Sequence, residues 1–162
     1  SLGGKKMGEP LVKQPGIVNV RFGDNVTIMQ PVNIYGCEIG SDVFIGPFVE
    51  IQKDVRIGRA SRIQSHSFIC ELVTIGEECF IAHGVVFIND MFSQGGPAKG
   101  NKSLWKSTIV GNNVSIGSNS TILPVNICSD VVIGAGSVVT KDICDSGFYA
   151  GNPARKLKEL KK

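Results

Sequence analysis

Residues 57–87 read I-G-R-A-S-R-I-Q-S-H-S-F-I-C-E-L-V-T-I-G-E-E-C-F-I-A-H-G-V-V-F. Ile57, Ile63, Ile69, Ile75, Ile81 and Phe87 fall six positions apart. Two positions before them stand Val55, Ser61, Ser67, Val73, Cys79 and Val85. A fixed period carried over many units marks a repeat architecture, in which each unit buries its apolar face only against its neighbours.

Both columns extend outward from this stretch. The larger residue recurs at Phe22, Ile28, Ile34, then Ile39, Ile45 and Ile51, and after an interruption at Val110, Ile116, Ile122, then Ile127, Ile133 and Val139. The step shortens to five residues at Ile34 to Ile39 and at Ile122 to Ile127. In all eighteen units the residue two before is Val, Cys, Ser or Thr. Residues two apart on a strand point to one face, so the larger fills an interior and the smaller fits a tight corner. Gly follows the larger residue at positions 23, 40, 46, 58, 76, 111, 117 and 134, which suits a sharp turn with positive φ. Three short strands make a coil of about 18 residues, and eighteen units make six coils. Stacked at about 4.8 Å, they form a prism roughly 29 Å long.

Composition agrees with an all-β chain in one domain. There are 162 residues with 20 Gly, 7 Pro and 7% aromatics, and with 42% hydrophobic residues disorder is not expected. A net charge of +3 is too small to point to nucleic acid, and no apolar run reaches the length of a membrane span or signal segment. Five cysteines without a C-x-x-C pair read as reduced thiols in a cytoplasmic protein. The opening Ser1-Leu2-Gly3-Gly4 reads as vector-derived.

The division is a lead-in over 1–16, the repeat region over 17–145 and a tail over 146–162. Residues 89–109 interrupt the period once and carry the only tryptophan, Trp105. A solenoid places such an insertion on its surface, often at the binding face; the plainer alternative is a disordered surface excursion. In the tail, Pro153 can open a helix, and Leu157 and Leu160 share one face among lysines. A short C-terminal helix is therefore predicted, capping the open end of the prism.

Three segments carry a resemblance: I-G-S-N-S-T-I-L-P (116–124), V-I-G-A-G-S-V-V-T-K-D (132–142) and Y-A-G-N-P-A-R (149–155). Together they resemble the hexapeptide acyltransferases that use acetyl-CoA. The pair I-Q-S-H-S-F-I-C-E (63–71) and F-I-A-H-G-V-V-F-I-N-D (80–90) is similar to the nucleotide-sugar N-acetyltransferases, which acetylate an amine, typically at C3, of a UDP- or dTDP-linked amino sugar. The resemblance implies a left-handed parallel β-helix of about six coils, a homotrimer with sites between subunits, and no metal. It also implies that Ser118 and Ala135 line the pantetheine slot, with Thr140, Lys141 and Arg155 near the nucleotide. Lys141 and Arg155 answer a physical need, since cations pair with phosphate, although Lys141 is equally readable as a solvated lysine.

Stacking arithmetic adds a candidate centre. Asn89 lies eighteen residues after Glu71, so it sits one coil above it; by the same count His83 sits above Ser65 and His66 beneath Gly84. Acyl transfer to an amine needs a neutral amine near the thioester and stabilisation of the developing oxyanion. The loop contains no histidine. Asn89 can orient the amine, Glu71 can hold Asn89 or the sugar, and His83 is auxiliary. His66 and Asp90 are candidate substrate contacts. The plainer alternatives are turn chemistry for Asn89, a solvated edge charge for Glu71 and an exposed turn residue for His83. Three other functions stay open: O-acetyl transfer, a zinc carbonic-anhydrase type, for which two histidines fall short of the three needed, and a non-catalytic scaffold.

Overall fold

The protein is described by a computed structural model, covering residues 7–161; the opening tetrapeptide lies outside the described residues. Two- and three-residue strands separated by sharp corners wind into a parallel β-helix. Each sheet takes every third strand as far as Val138–Val139, and the third also takes the two C-terminal strands, giving sheets of seven, six and eight strands. The first contains Ile17–Val18, Asn33–Tyr35, Glu50–Ile51, Phe68–Ile69, Val86–Phe87, Thr121–Ile122 and Val138–Val139. The pairing is in register: Ile63 lies beside Ile81 and Ile81 beside Ile116. The six-residue period therefore becomes three inward stacks of aliphatics, with Ile45, Ile63, Ile81 and Ile116 all fully buried.

The winding has about seven turns rather than six. Ile17–Val18 starts it before Phe22, while Ile143, bridged to Ile127, and Gly147–Gly151 carry it past Val139. At the lower end nothing described stacks beneath Phe22, which is 43% exposed although it holds an interior position of the repeat.

The small column has its own chemistry. Ser61, Ser67 and Ser120 are buried, and their hydroxyls donate to the carbonyls of Gly76, Ala82 and Gly134. Among the described residues no fully buried side-chain N or O atom lacks a partner, so the polar corners leave no buried group unsatisfied.

The eight glycines after the aliphatics have a different cause from the one expected. None has positive φ. They are glycines because the next coil lies directly against them: a Cβ on Gly76 would meet Gly111 O at 2.4 Å, and one on Gly117 would meet Ala135 N at 2.4 Å. Positive φ falls three residues after the aliphatic, at Asp42, Phe48, Asp54, His66, Gly84, Asn113, Asn119 and Asp130 among others. Asn and Asp tolerate this conformation best among residues with a Cβ.

The C-terminal helix is not formed. Gly147–Gly151 adds to the edge of Val131–Ile133, and Ala154–Lys158 returns antiparallel to it across Asn152 and Pro153. An isolated helix of this length is marginal in water, whereas an open sheet edge offers unpaired backbone groups at once. Leu157, predicted to pack on a helical face, is 63% exposed. The tail still closes the end of the coil stack, but as a hairpin.

Candidate functional site

The first sheet joins two corners of the prism, and the sequence-predicted residues divide between them. In-register pairing at the corner entering this sheet puts His83 beside Ser118 and Ser118 beside Ala135. Arg155 pairs with Ala150, whose methyl lies against Gly134 at the top of the same corner. At the corner leaving the sheet, pairing stacks Glu71, Asn89, Pro124 and Lys141 in that order, with Thr140 beside Lys141. His83 and Asn89 stand at opposite ends of Val86–Phe87, separated by up to about 20 Å of extended chain.

Asn89 is buried and tightly held. Its Nδ2 donates to the main-chain carbonyl of Glu71 at 3.1 Å, and its own carbonyl accepts from Lys106 N at 2.9 Å. A carbonyl accepts only, so this contact fixes which way the amide faces. Oδ1 is left as an acceptor with no donor reaching it among the described residues. Beside it is a cleft of about 280 Å³, lined by Phe68, Cys70, Phe92, Trp105 and Asp90 among others. A larger groove of about 470 Å³ crosses the outer face of the second sheet over Arg21, Glu38, Arg56 and Thr74. Its carboxylate, Glu38, is shared between Arg21 and Arg56, and none of the sequence-predicted site residues line it, so the smaller cleft is the stronger candidate.

Glu71 supports Asn89 through its backbone, not its carboxylate. The carboxylate is engaged by Lys102, whose Nζ lies 3.0 Å from both oxygens. Sequence reasoning missed Lys102, because the loop has no period to place its residues and an 18-residue count says nothing there. Asn101 caps the 3-10 turn Lys102–Leu104 by accepting from Ser103 N, and so fixes where Lys102 departs. Asp90, expected at the substrate, has both oxygens on loop backbone: Phe92 N at 3.0 Å and Ala98 N at 2.7 Å. With the Asp90–Trp105 bridge, these bonds make the insertion an ordered, closed loop rather than a loose excursion.

His66 sits in the positive-φ corner position and stacks on Phe48, its counterpart one coil below, with ring centroids 4.9 Å apart. His83 is exposed, its carbonyl accepting from Asn119 N. Lys141 and Arg155 are also exposed, with no carboxylate within salt-bridge distance among the described residues.

The nearest thiol is no nucleophile. Burial pushes Cys70 up to about 12, with Glu71 adding to the effect. Tyr35, on the same corner, is raised by burial and then by Glu50 and Glu71, while a hydrogen bond from Gln52 and the charge of Lys102 oppose the rise. Both groups are neutral near neutral pH. Among the described residues no three His, Cys, Asp or Glu side chains are grouped to hold a metal ion, and no helix is long and apolar enough to cross a membrane.

Two family profiles match the chain: bacterial transferase hexapeptide (six repeats) over residues 36–71, and the hexapeptide repeat of succinyl-transferase over residues 107–141. The bifunctional protein GlmU of Gloeothece citriformis is 33% identical over 148 residues, covering 86% of this chain and 32% of its own. The chain thus spans about a third of the length of the curated relatives it matches. The solved polySia-specific acetyltransferase NeuO is 30% identical, with 88% of this chain and 70% of its own covered and a TM-score of 0.55. AntD, an N-acyltransferase from Bacillus cereus solved with dTDP and coenzyme A, is 27% identical; 88% of this chain and 84% of its own are covered, with a TM-score of 0.53. With its coils, its single inserted loop and these matches, the chain belongs to the hexapeptide-repeat acyltransferase family.

Proposed function

We propose that the protein moves an acetyl group from acetyl-CoA to the amino group of a nucleotide-linked amino sugar, in the cytoplasm, as a homotrimer with sites between subunits. The observation that carries this reading is the free Oδ1 of Asn89 at a cleft. An amide oxygen fixed in this way accepts a hydrogen bond from an amine and aims its lone pair. It cannot take a proton from a hydroxyl, which an O-acetyltransferase requires. The amine nitrogen attacks the thioester carbonyl, the C–S bond breaks, and the departing thiolate ultimately takes the proton from nitrogen. The separation of His83 from Asn89 supports a site composed from two chains, since the two corners meet only when one prism packs beside another. AntD, solved with dTDP and coenzyme A, supports the same substrate classes.

A second reading rests on one observation. His83 is exposed in the same corner stack as Ser118 and Ala135, the stack proposed here for the pantetheine arm. From there a histidine could serve as base for a hydroxyl acceptor. The deciding experiment is a panel of amino and hydroxyl sugar nucleotides with acetyl-CoA, followed by free-thiol release. Thiol release with the amino sugars alone is expected; release with the hydroxyl sugars alone would establish O-acetyl transfer.

The coenzyme's phosphates need cations, and Lys141 and Arg155 stand exposed at the upper ends of the two corners. Lys141→Ala combined with Arg155→Ala is expected to raise KM for acetyl-CoA about five- to ten-fold, as for exposed charge pairs, and to change KM for the sugar less. Steady-state kinetics with each substrate varied in turn checks this, and an unchanged KM for the coenzyme refutes the placement.

A further inference from the structure

Three carboxylates gather around the corner that holds Asn89, and each has a different partner. Glu50 accepts from the side-chain amides of Asn33 and Gln52. Asp90 accepts from two backbone N–H groups of the loop. Glu71 alone is neutralised by a cation, and it is the one stacked directly beneath Asn89. Its side chain is only 11% exposed, whereas that of Lys102 is 57% exposed. The carboxylate thus belongs to the protein interior and the lysine reaches in from the loop to meet it. Lys102 Nζ also stands 5.4 Å from the Trp105 ring centroid, against the cleft wall.

We propose that Lys102 is a positioning residue for the acceptor amine: its pairing with Glu71 ties the loop to the coil beneath Asn89 and cancels the negative charge that would otherwise keep the amine protonated. The inference rests on the reading that Asn89 receives an amine. An ammonium ion has no lone pair to attack a thioester, so the site must favour the neutral form. An unpaired carboxylate within about 4–6 Å raises an amine's pKa by about 1–3 units, and Glu71 is the carboxylate-bearing residue one coil beneath Asn89. With Lys102 in place, that field is largely cancelled.

Other ionisable groups also face this corner. Burial raises Tyr35 from its ordinary value and pushes Cys70 up to about 12. Glu50 and Asp90 keep their neutral donors, and Lys106 and Lys141 contribute exposed, screened charge. A change in the pH profile on removing Lys102 that the Glu71→Gln substitution reverses therefore reports the charge of the Glu71–Lys102 pair.

The test is the pH dependence of kcat, at saturating acetyl-CoA and saturating sugar, on whichever UDP- or dTDP-linked amino sugar the wild-type protein acetylates. Wild type is compared with Lys102→Met, Lys102→Arg and the double variant Lys102→Met/Glu71→Gln, with folding verified by circular dichroism and melting. For Lys102→Met the acid limb is expected to move up by roughly one pH unit. Activity should fall about ten-fold near pH 7 and return to within about two-fold above pH 9. Lys102→Arg should track wild type, and the double variant should restore the midpoint. A loss of equal size at every pH, or a double variant as shifted as the single one, would mean that Lys102 acts only as a structural tie, and the inference falls. If the wild-type protein acetylates no amine at all, the functional reading itself falls and takes this inference with it.

Discussion

Asn89→Ala is expected to lower kcat/KM for the amine acceptor by about 5- to 150-fold, the loss that follows from removing an orienting hydrogen bond of roughly 1–3 kcal/mol. The KM for acetyl-CoA should stay close to wild type, because Asn89 and the Ser118–Ala135 stack lie on different corners. Structural damage should be small. Asn89 Nδ2 holds one carbonyl, and the backbone bond from Lys106 N to Asn89 O survives the substitution. The control is His83→Ala, measured at saturating acetyl-CoA. Removal of an obligatory general base slows a reaction by about 10²–10⁴-fold, whereas an auxiliary positioning group has a smaller effect. If His83→Ala abolishes turnover and Asn89→Ala is near wild type, the two roles are reversed, and a histidine-base reaction on a hydroxyl becomes the better account.

The largest stability effect is expected from Ile81→Ala, at about 2–5 kcal/mol, the range for deleting a fully buried aliphatic side chain. Ile81 has no exposed surface and is stacked between Ile63 and Ile116 in the middle of the prism. A stack of coils can close such a hole only by shifting an entire coil, which its backbone ladder resists. The same substitution at Ile28, only partly buried in the lowest coils, should cost much less. In a solenoid, stability is close to a sum over neighbouring repeats: a defect at the end frays one coil, while a defect in the centre divides the stack. Denaturant melting of the two variants side by side tests this gradient, and equal destabilisation would refute it.

The repeat, its two columns and the stacking of Asn89 over Glu71 were legible because an in-register ladder turns sequence distance directly into spatial distance. The same logic placed His83 above Ser65. Where the ladder stops, legibility stopped as well. Lys102 sits in the inserted loop, so no count connected it to Glu71. The tail was read from Leu157 and Leu160 as a helix, but sequence spacing does not show the vacant sheet edge at Val131–Ile133 that recruits it. The glycines were found and misattributed: positive φ and close approach both exclude a Cβ, and only the coordinates distinguish Gly76, pressed against Gly111, from Gly84 with φ +66. His66, a candidate substrate contact on sequence, holds the ordinary corner site of the repeat.

The inserted loop also bears on how such a protein can change over generations. Val73 pairs with Thr108, 35 positions on, where an unbroken coil needs 18 between Ile57 and Ile75, leaving 17 extra residues. They leave and return through a narrow neck, closed by Lys106 N on Asn89 O and by the bridge between Asp90 and Trp105. Above and below the neck the coils stack as if nothing had been inserted. Lengthening, shortening or recomposing residues 91–104 therefore asks nothing of the aliphatic stacks, while a single methyl on Gly76 would disturb two coils at once. The fold separates a conservative frame, where nearly every position answers to a neighbour, from one segment that can vary without putting the frame at risk.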